Sequence, residues 1–236
     1  MDAIAMSTRR KTCEERARSV RRARLRAMNE PPRLTLGEEV FNAATHGAGA
    51  LLAVAGMVLL LLRSDTGMKL LASLVYGISM VVMLLMSSLY HAMKSGSTAK
   101  RVCRRFDYIS IYLLIGGTFA PILLVYLGGR VGVTLFCVQW GIILLGMVLI
   151  AVFGPGRLRP LHYTLYFLIG WSGLLFIPSF WREARGLLWA ILGGGIAYTV
   201  GMIPFARSRK YDHCLWHLFV LAGAALHWAG IYCFLY

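Results

Sequence analysis

The stretch LLASLVYGISMVVMLLMSSLYHA, residues 70–92, decides the fold of this chain. Between Lys69 and Lys94 it contains no Asp, Glu, Lys or Arg. A transmembrane helix needs about 20 consecutive, predominantly apolar residues. Backbone groups inside a bilayer must bond to one another, so a spanning segment is either a helix or a strand of a closed barrel. Because the apolarity is continuous rather than alternating, the stretch predicts a transmembrane helix.

Six further runs of similar length and apolarity occur along the chain, at Val40–Leu62, Phe106–Leu127, Val131–Phe153, Leu161–Trp181, Gly186–Ala206 and His213–Tyr236. Overall, 58% of the 236 residues are hydrophobic and 15% are charged. A soluble domain carries about 45–50% apolar and about 25% charged residues. We therefore predict an all-α membrane protein, a seven-transmembrane helix bundle formed by residues 37–236.

Residues 1–36 differ from the rest because they are polar and rich in arginine, as in TRRKTCEERARSVRRARLRAMNE. We expect no cleavable signal peptide, since no apolar core precedes Val40. The simplest interpretation is a flexible, solvated cytoplasmic tail, and the alternative is a segment that binds anionic lipid head groups. A transit peptide is disfavoured by Glu14, Glu15 and Glu30. The formal charge of +15 reflects membrane topology, so we expect no nucleic-acid partner.

The distribution of basic residues predicts the orientation. Twenty of the 25 Lys and Arg residues lie in the N-terminal segment and in the loops after the second, fourth and sixth runs. The loops on the opposite side hold the other five. Cytoplasmic loops carry the excess of Lys and Arg. The N-terminus is therefore predicted to be cytoplasmic and the C-terminus outside.

Polar side chains that are unusual in membrane segments collect at the predicted cytoplasmic ends of four runs. The second run ends on that side, and the first, third and seventh begin there. Ionisable residues within such segments are functional-site hypotheses by default. Orientation alone places eight residues at similar depth: Glu39, Asn42, His46, Ser87, His91, Asp107, His213 and His217.

The pair His213 and His217 is the most specific signal, because a spacing of four puts both imidazoles on one helix face. With His91 as a third ligand, the set matches catalytic zinc, which has three protein ligands and a water that deprotonates near neutral pH. No glutamate stands between the pair, so this is not an HExxH motif. A hydrogen-bonded pair of histidines without metal is the alternative. His162 and His227 are interpreted as structural or interfacial.

Asp107 is the carboxylate available as a general base, and Ser87 lies one turn before His91. Ser87 is placed to hydrogen-bond a substrate carbonyl or the metal-bound water. Each also has a simpler explanation: Asp107 suits a helix N-cap, and serines often pack between membrane helices. Neither residue is decisive by itself.

The combination Ser87-x3-His91, Asp107 and His213-x3-His217 over seven helices resembles the hemolysin III family of bacterial membrane proteins. That family is grouped with the progestin and adipoQ receptors and with the alkaline ceramidases. The segments EEVFNAATHGAG, FDYISIYLLIGGTFAPILL and HCLWHLFVLAGAALHWAGIY are similar to the family as well. The resemblance covers about residues 37–236 and excludes the basic tail.

The resemblance implies a Zn2+ site near the cytoplasmic face of a bacterial inner (plasma) membrane. His91, His213 and His217 would be its ligands, with Asp107 and Ser87 beside the metal-bound water. Glu39, Asn42 and His46 are candidates for supporting roles around the ligands. The implied chemistry is hydrolysis of an amide (or ester) bond in a lipid drawn from the bilayer.

Two other functions stay open. The family name suggests a pore-forming, cytolytic protein, although no amphipathic pore-lining segment is evident in the sequence. A receptor-like sensor in which zinc is structural is the third interpretation.

The predicted orientation can be tested with alkaline phosphatase fusions, since this enzyme is active only outside the cytoplasm. A fusion after Tyr236 should be active, and a fusion in the loop at Arg209 should be inactive. Activity at Arg209 with none at Tyr236 would show that the orientation is inverted.

Overall fold

A computed structural model describes residues 2–236, with side chains from residue 15 onward, and its described part is helical without any strand. The helices are α1 Asp2–Asn29, α2 Leu36–Leu62, α3 Gly67–Ala92, α4 Thr98–Pro121, α5 Gly129–Phe153, α6 Arg159–Trp171, α7 Ile177–Glu183, α8 Arg185–Arg207 and α9 Asp212–Phe234. A π-helical segment, Ile122–Leu127, extends α4, and a 3-10 segment, Ser172–Phe176, joins α6 to α7. Seven continuous helical stretches are thus long and apolar enough to cross a membrane. The predicted fold class is confirmed, and the sidedness stays a prediction.

Several spanning helices begin earlier than the apolar runs, because polar caps start them. Thr35 caps α2 in a capping box: its hydroxyl accepts from the Glu38 backbone N–H at 3.4 Å, and the Glu38 carboxylate accepts from the Thr35 N–H at 2.9 Å. Ser97 caps α4 by accepting from the Lys100 N–H at 3.0 Å. Glu39 and Lys100 therefore lie in first helical turns rather than in loops.

Helix α3 is the centre of the half of the bundle that holds the site. It packs against α2 on one side and α4 on the other, while α9 packs against α2 and α8. Tyr76 and Leu84 of α3 lie in the main buried core with Leu60 of α2 and Ile231 of α9. Large apolar side chains such as Leu51 remain exposed on the outer surface, as expected of a bundle that faces lipid.

The contact between α3 and α4 is close because of Gly117. A Cβ atom at this position would stand 2.5 Å from the Ser79 Cβ and 3.2 Å from the Val75 carbonyl oxygen. Such distances leave no room for any side chain larger than hydrogen unless the backbones separate. Gly117 lies in the second half of α4, so this close approach joins that half of the helix to the middle of α3.

The basic N-terminal segment forms helix α1, whose end is joined to the bundle. The Asn29 amide donates to the Phe153 carbonyl at 3.1 Å and accepts from the Gly156 N–H at 2.9 Å. Arg104 of α4 donates to the Glu30 carbonyl at 3.0 Å. A helical backbone is compatible with the predicted solvated tail, and the flexibility of that tail stays a prediction.

Candidate metal centre

Three imidazoles meet where α3 ends and α9 begins. The ring centroids of His91, His213 and His217 lie 4.8–5.0 Å apart in all three pairs. One nitrogen from each ring lies within 4.8 Å of the other two, and Nε2 of His213 is 3.2 Å from Nε2 of His91. His91 and His217 are buried, with 2% and 1% of their surface exposed. Among the described residues this is the group of donor atoms suited to one metal ion.

The start of α9 is held in place by two carboxylates. Asp212 forms an ion pair with Arg207 at 2.6 Å and accepts from the Arg209 N–H at 2.8 Å. Tyr211, in the left-handed region with φ of 63°, donates its N–H to the Glu38 carboxylate of α2 at 2.8 Å. These contacts hold the turn between α8 and α9 against the beginning of α2, and so place His213 in the first turn of α9.

Glu39 supports His91 directly. Its Oε2 lies 2.8 Å from His91 Nδ1, and its Oε1 lies 2.8 Å from the Lys100 ammonium. An ionised carboxylate can only accept, so Nδ1 of His91 carries the proton and Nε2 keeps its lone pair. Metal-binding histidines commonly donate their second ring N–H to a carboxylate in this way. The arrangement orients Nε2 toward the other two imidazoles.

The remaining polar face of α2 lies beside His217. The His46 ring stacks on the His217 ring, with centroids 3.8 Å apart and planes inclined by 27°, and its Nε2 is 3.4 Å from the His217 carbonyl oxygen. Asn42 lies one turn earlier on the same face and is fully buried. Its side-chain amide has no hydrogen-bond partner among the described residues.

Asp107 and Ser87 occupy neighbouring positions on α4 and α3. The Asp107 carboxyl lies next to the Ser87 hydroxyl, and His91, Lys100 and Arg104 are near enough to act on it electrostatically. Ser87 is buried, whereas Asp107 is half-buried. Asp107 is not part of the nitrogen cluster, so its position suits a group that acts beside an ion rather than a ligand.

The donor set fits a tetrahedral metal ion such as zinc. Two nitrogens bound to one zinc at about 2.0–2.1 Å lie about 3.3 Å apart. The separation of 3.2 Å between Nε2 of His91 and Nε2 of His213 agrees with that value. In addition, Nδ1 of His217 is buried without a hydrogen-bond partner. A buried polar atom of this kind is costly unless an ion or a water satisfies it.

The structure brings together all eight residues that the sequence placed at similar depth: Glu39, Asn42, His46, Ser87, His91, Asp107, His213 and His217. His162 and His227 lie elsewhere, as expected. His162 pairs with the Tyr112 hydroxyl at 3.0 Å, and His227 with the Ile191 carbonyl at 3.0 Å. Lys100 was not predicted as a site residue, because the sequence pattern assigned it to the basic loop after the second run. The capping serine at Ser97, a typical helix start, was the signal that could have placed it in a helix.

A family model described as "Haemolysin-III related" matches residues 34–228, a range that contains all eight site residues. Hemolysin-3 of Bacillus cereus is 34% identical over 194 residues, which are 80% of this chain and 88% of that protein. The Hemolysin-3 homolog of Bacillus subtilis (strain 168) is 32% identical over 207 residues, 86% of this chain and 95% of that protein. The monocyte to macrophage differentiation factor of Homo sapiens is 24% identical over 208 residues, 86% of each chain.

Metal binding by the triad can be measured on the purified protein after loading with Zn2+ and removal of free ion. We expect one zinc per chain, and loss of most of it in His213→Ala, because two imidazoles alone bind zinc weakly. His227→Ala, in the same helix but outside the cluster, is the control and should keep its zinc. Equal zinc contents in the two variants would contradict the assignment.

Proposed function

The chain belongs to the haemolysin-III related family, and from this membership and its histidine triad we propose that it is a zinc-dependent membrane hydrolase. The reaction is cleavage of an amide (or ester) bond in a lipid. One observation carries the proposal: three imidazole nitrogens converge, with the Asp107 carboxyl and the Ser87 hydroxyl beside them. Ligands, an acceptor for a proton and a hydrogen-bond donor are the parts that metal-assisted hydrolysis requires.

His91, His213 and His217 would hold the ion, leaving a fourth position open. When bound, zinc would supply a Lewis acid that polarises a carbonyl and makes a water more acidic. Asp107 would take a proton from the water while the water oxygen bonds to the carbonyl carbon of the substrate. It would then return that proton to the leaving nitrogen as the C–N bond breaks, giving a fatty acid and an amine. The Ser87 hydroxyl would donate a hydrogen bond to the developing oxyanion.

The position of the site supports a lipid substrate. Membrane-length helices supply every residue of the site, and we propose that the substrate reaches it from the bilayer. With the orientation set by the basic loops, the site would lie near the cytoplasmic face of a bacterial inner membrane.

The name of the Bacillus cereus relative, Hemolysin-3, favours a cytolytic function as the second candidate. The two candidates differ in their need for metal. Release of dye from liposomes by zinc-free protein would favour pore formation, since a pore does not use the ion. Product formation that requires zinc would favour the hydrolase.

We also propose that the basic face next to α1 binds anionic lipid head groups. A groove of about 650 Å3 lies between the end of α1 and the start of α4, and Arg26, Arg101 and Arg105 line it together with Glu30. Val102 of α4, which is 47% exposed, also lines the groove and adds an apolar side chain to it. Basic pockets at the cytoplasmic side of membrane helices suit anionic head groups.

Thermal unfolding in zwitterionic detergent, with and without added phosphatidylglycerol, tests this head-group site. The lipid should raise the melting temperature of the wild type, and the increase should shrink in Arg101→Gln/Arg105→Gln because two cationic contacts are lost. Arg130→Gln, in the first turn of α5 on the predicted opposite side of the membrane, is the control. An unchanged increase in the double variant would rule out the groove.

Hydrolysis can be tested with ceramide-like and N-acyl lipids, using Asp107→Asn as the comparison. General acid-base catalysis contributes about 10²–10⁴-fold, so we expect kcat to fall by at least about 100-fold. The variant should retain its zinc, since Asp107 is not a ligand. Zinc-loaded wild type that turns over none of these lipids, or a variant as active as wild type, would contradict the proposal.

A further inference from the structure

Lys100 is a charged side chain with only 1% of its surface exposed, within a helix of membrane-spanning length. Lysine is almost never fully buried unless it is paired. Ionisable residues in such segments mark functional sites by default. Neither the ligand set nor the proposed proton transfer assigns it a role.

The Lys100 ammonium has three close oxygen neighbours. It lies 2.8 Å from Oε1 of Glu39, and it donates to the carbonyl oxygens of Tyr90 at 3.1 Å and Met93 at 3.2 Å. The two carbonyls lie at the end of α3, where a helix leaves its last carbonyls with few partners; that of Tyr90 also accepts from the Met93 N–H, at 3.4 Å. Lys100 thus connects the start of α4 to the end of α3, next to His91.

The carboxylate of Glu39 divides its two oxygens between Lys100 and His91. Because Oε1 faces the ammonium, Oε2 is directed at Nδ1 of His91. Without Lys100, the buried carboxylate of Glu39 would lose its cationic neighbour and would be free to turn. That rotation would weaken its hydrogen bond with the His91 N–H, so Nε2 of His91 would no longer be directed toward His213 and His217.

We propose that Lys100 is a positioning residue of the metal centre, which acts through Glu39 to orient His91. The inference rests on the proposed zinc binding, but not on hydrolysis. It predicts that removal of Lys100 weakens zinc binding. A purely electrostatic effect would have the opposite sign, because a cation near the ion opposes zinc binding and its removal would tighten that binding. The inference differs also from a role limited to capping α3, which would change stability without acting through Glu39.

The test is a double-mutant cycle on the purified full chain in detergent. Zinc affinity is measured by competition with a chelator for wild type, Lys100→Met, Glu39→Gln and the double variant. Loss of a partner that orients a metal-binding histidine weakens binding by about 10–100-fold. We expect a loss of this size in Lys100→Met, and little further loss when Lys100→Met is added to Glu39→Gln. Lys69→Met, whose lysine pairs with Asp65 at the other end of α3, is the matched control and should bind as wild type does.

The outcomes separate the possibilities. The proposal is overturned if Lys100→Met binds zinc as tightly as wild type or more tightly, or if it weakens binding equally in both Glu39 backgrounds. If Lys100→Met alone does not fold, the double variant removes both members of the ion pair and is compared with Glu39→Gln, and unequal affinities overturn the proposal. A wild type without zinc would overturn this inference and the proposed function together. Zinc binding without lipid hydrolysis would overturn the proposed function alone.

Discussion

A buried carboxylate within a bundle of membrane-length helices must have positive or hydrogen-donating partners, and the geometry of the candidate metal centre depends on how Glu39 meets this requirement. Its two oxygens contact His91 of α3 and Lys100 of α4, each at 2.8 Å. Desolvating a charge costs several kcal/mol, which is offset only by close and well-directed partners. One side chain of α2 therefore joins the ends of two other helices and sets the direction of His91.

The preceding residue, Glu38, makes the corresponding connection to the fourth helix of the site. It accepts from Thr35 in the capping box and from the Tyr211 N–H in the turn before α9. Adjacent carboxylates in the first turns of α2 thus face different neighbours: Glu39 faces α3 and α4, and Glu38 faces the α8–α9 turn. Together they hold the two sequence-distant parts of the triad, His91 and the His213–His217 pair, at one place.

Much of this arrangement could be predicted from the sequence, because it depends on hydropathy, on the alternating direction of successive helices and on residue spacing. The apolar runs predicted the spanning helices, and alternation of direction placed His91, Asp107 and His213 at similar depth. The spacing of four predicted that His213 and His217 share a face, as their ring separation of 4.9 Å confirms.

The partners that hold these residues could not be predicted in this way. Lys100 is 61 positions from Glu39, and whether they meet depends on the rotation and tilt of α2 and α4 about their own axes. That rotation is set by packing such as the close approach at Gly117, which hydropathy does not report. The first turns of α2 and α4 are polar, so hydropathy placed the starts of these helices too late. Lys100 was therefore interpreted as a loop residue.

The central claim is that three imidazoles share one zinc ion, and X-ray absorption at the zinc edge of the purified, zinc-loaded protein tests it most directly. The account predicts a first shell of nitrogen and oxygen atoms at about 2.0–2.1 Å, with outer-shell scattering from three imidazoles. A sulfur shell at about 2.3 Å, or scattering from one imidazole or none, would contradict it.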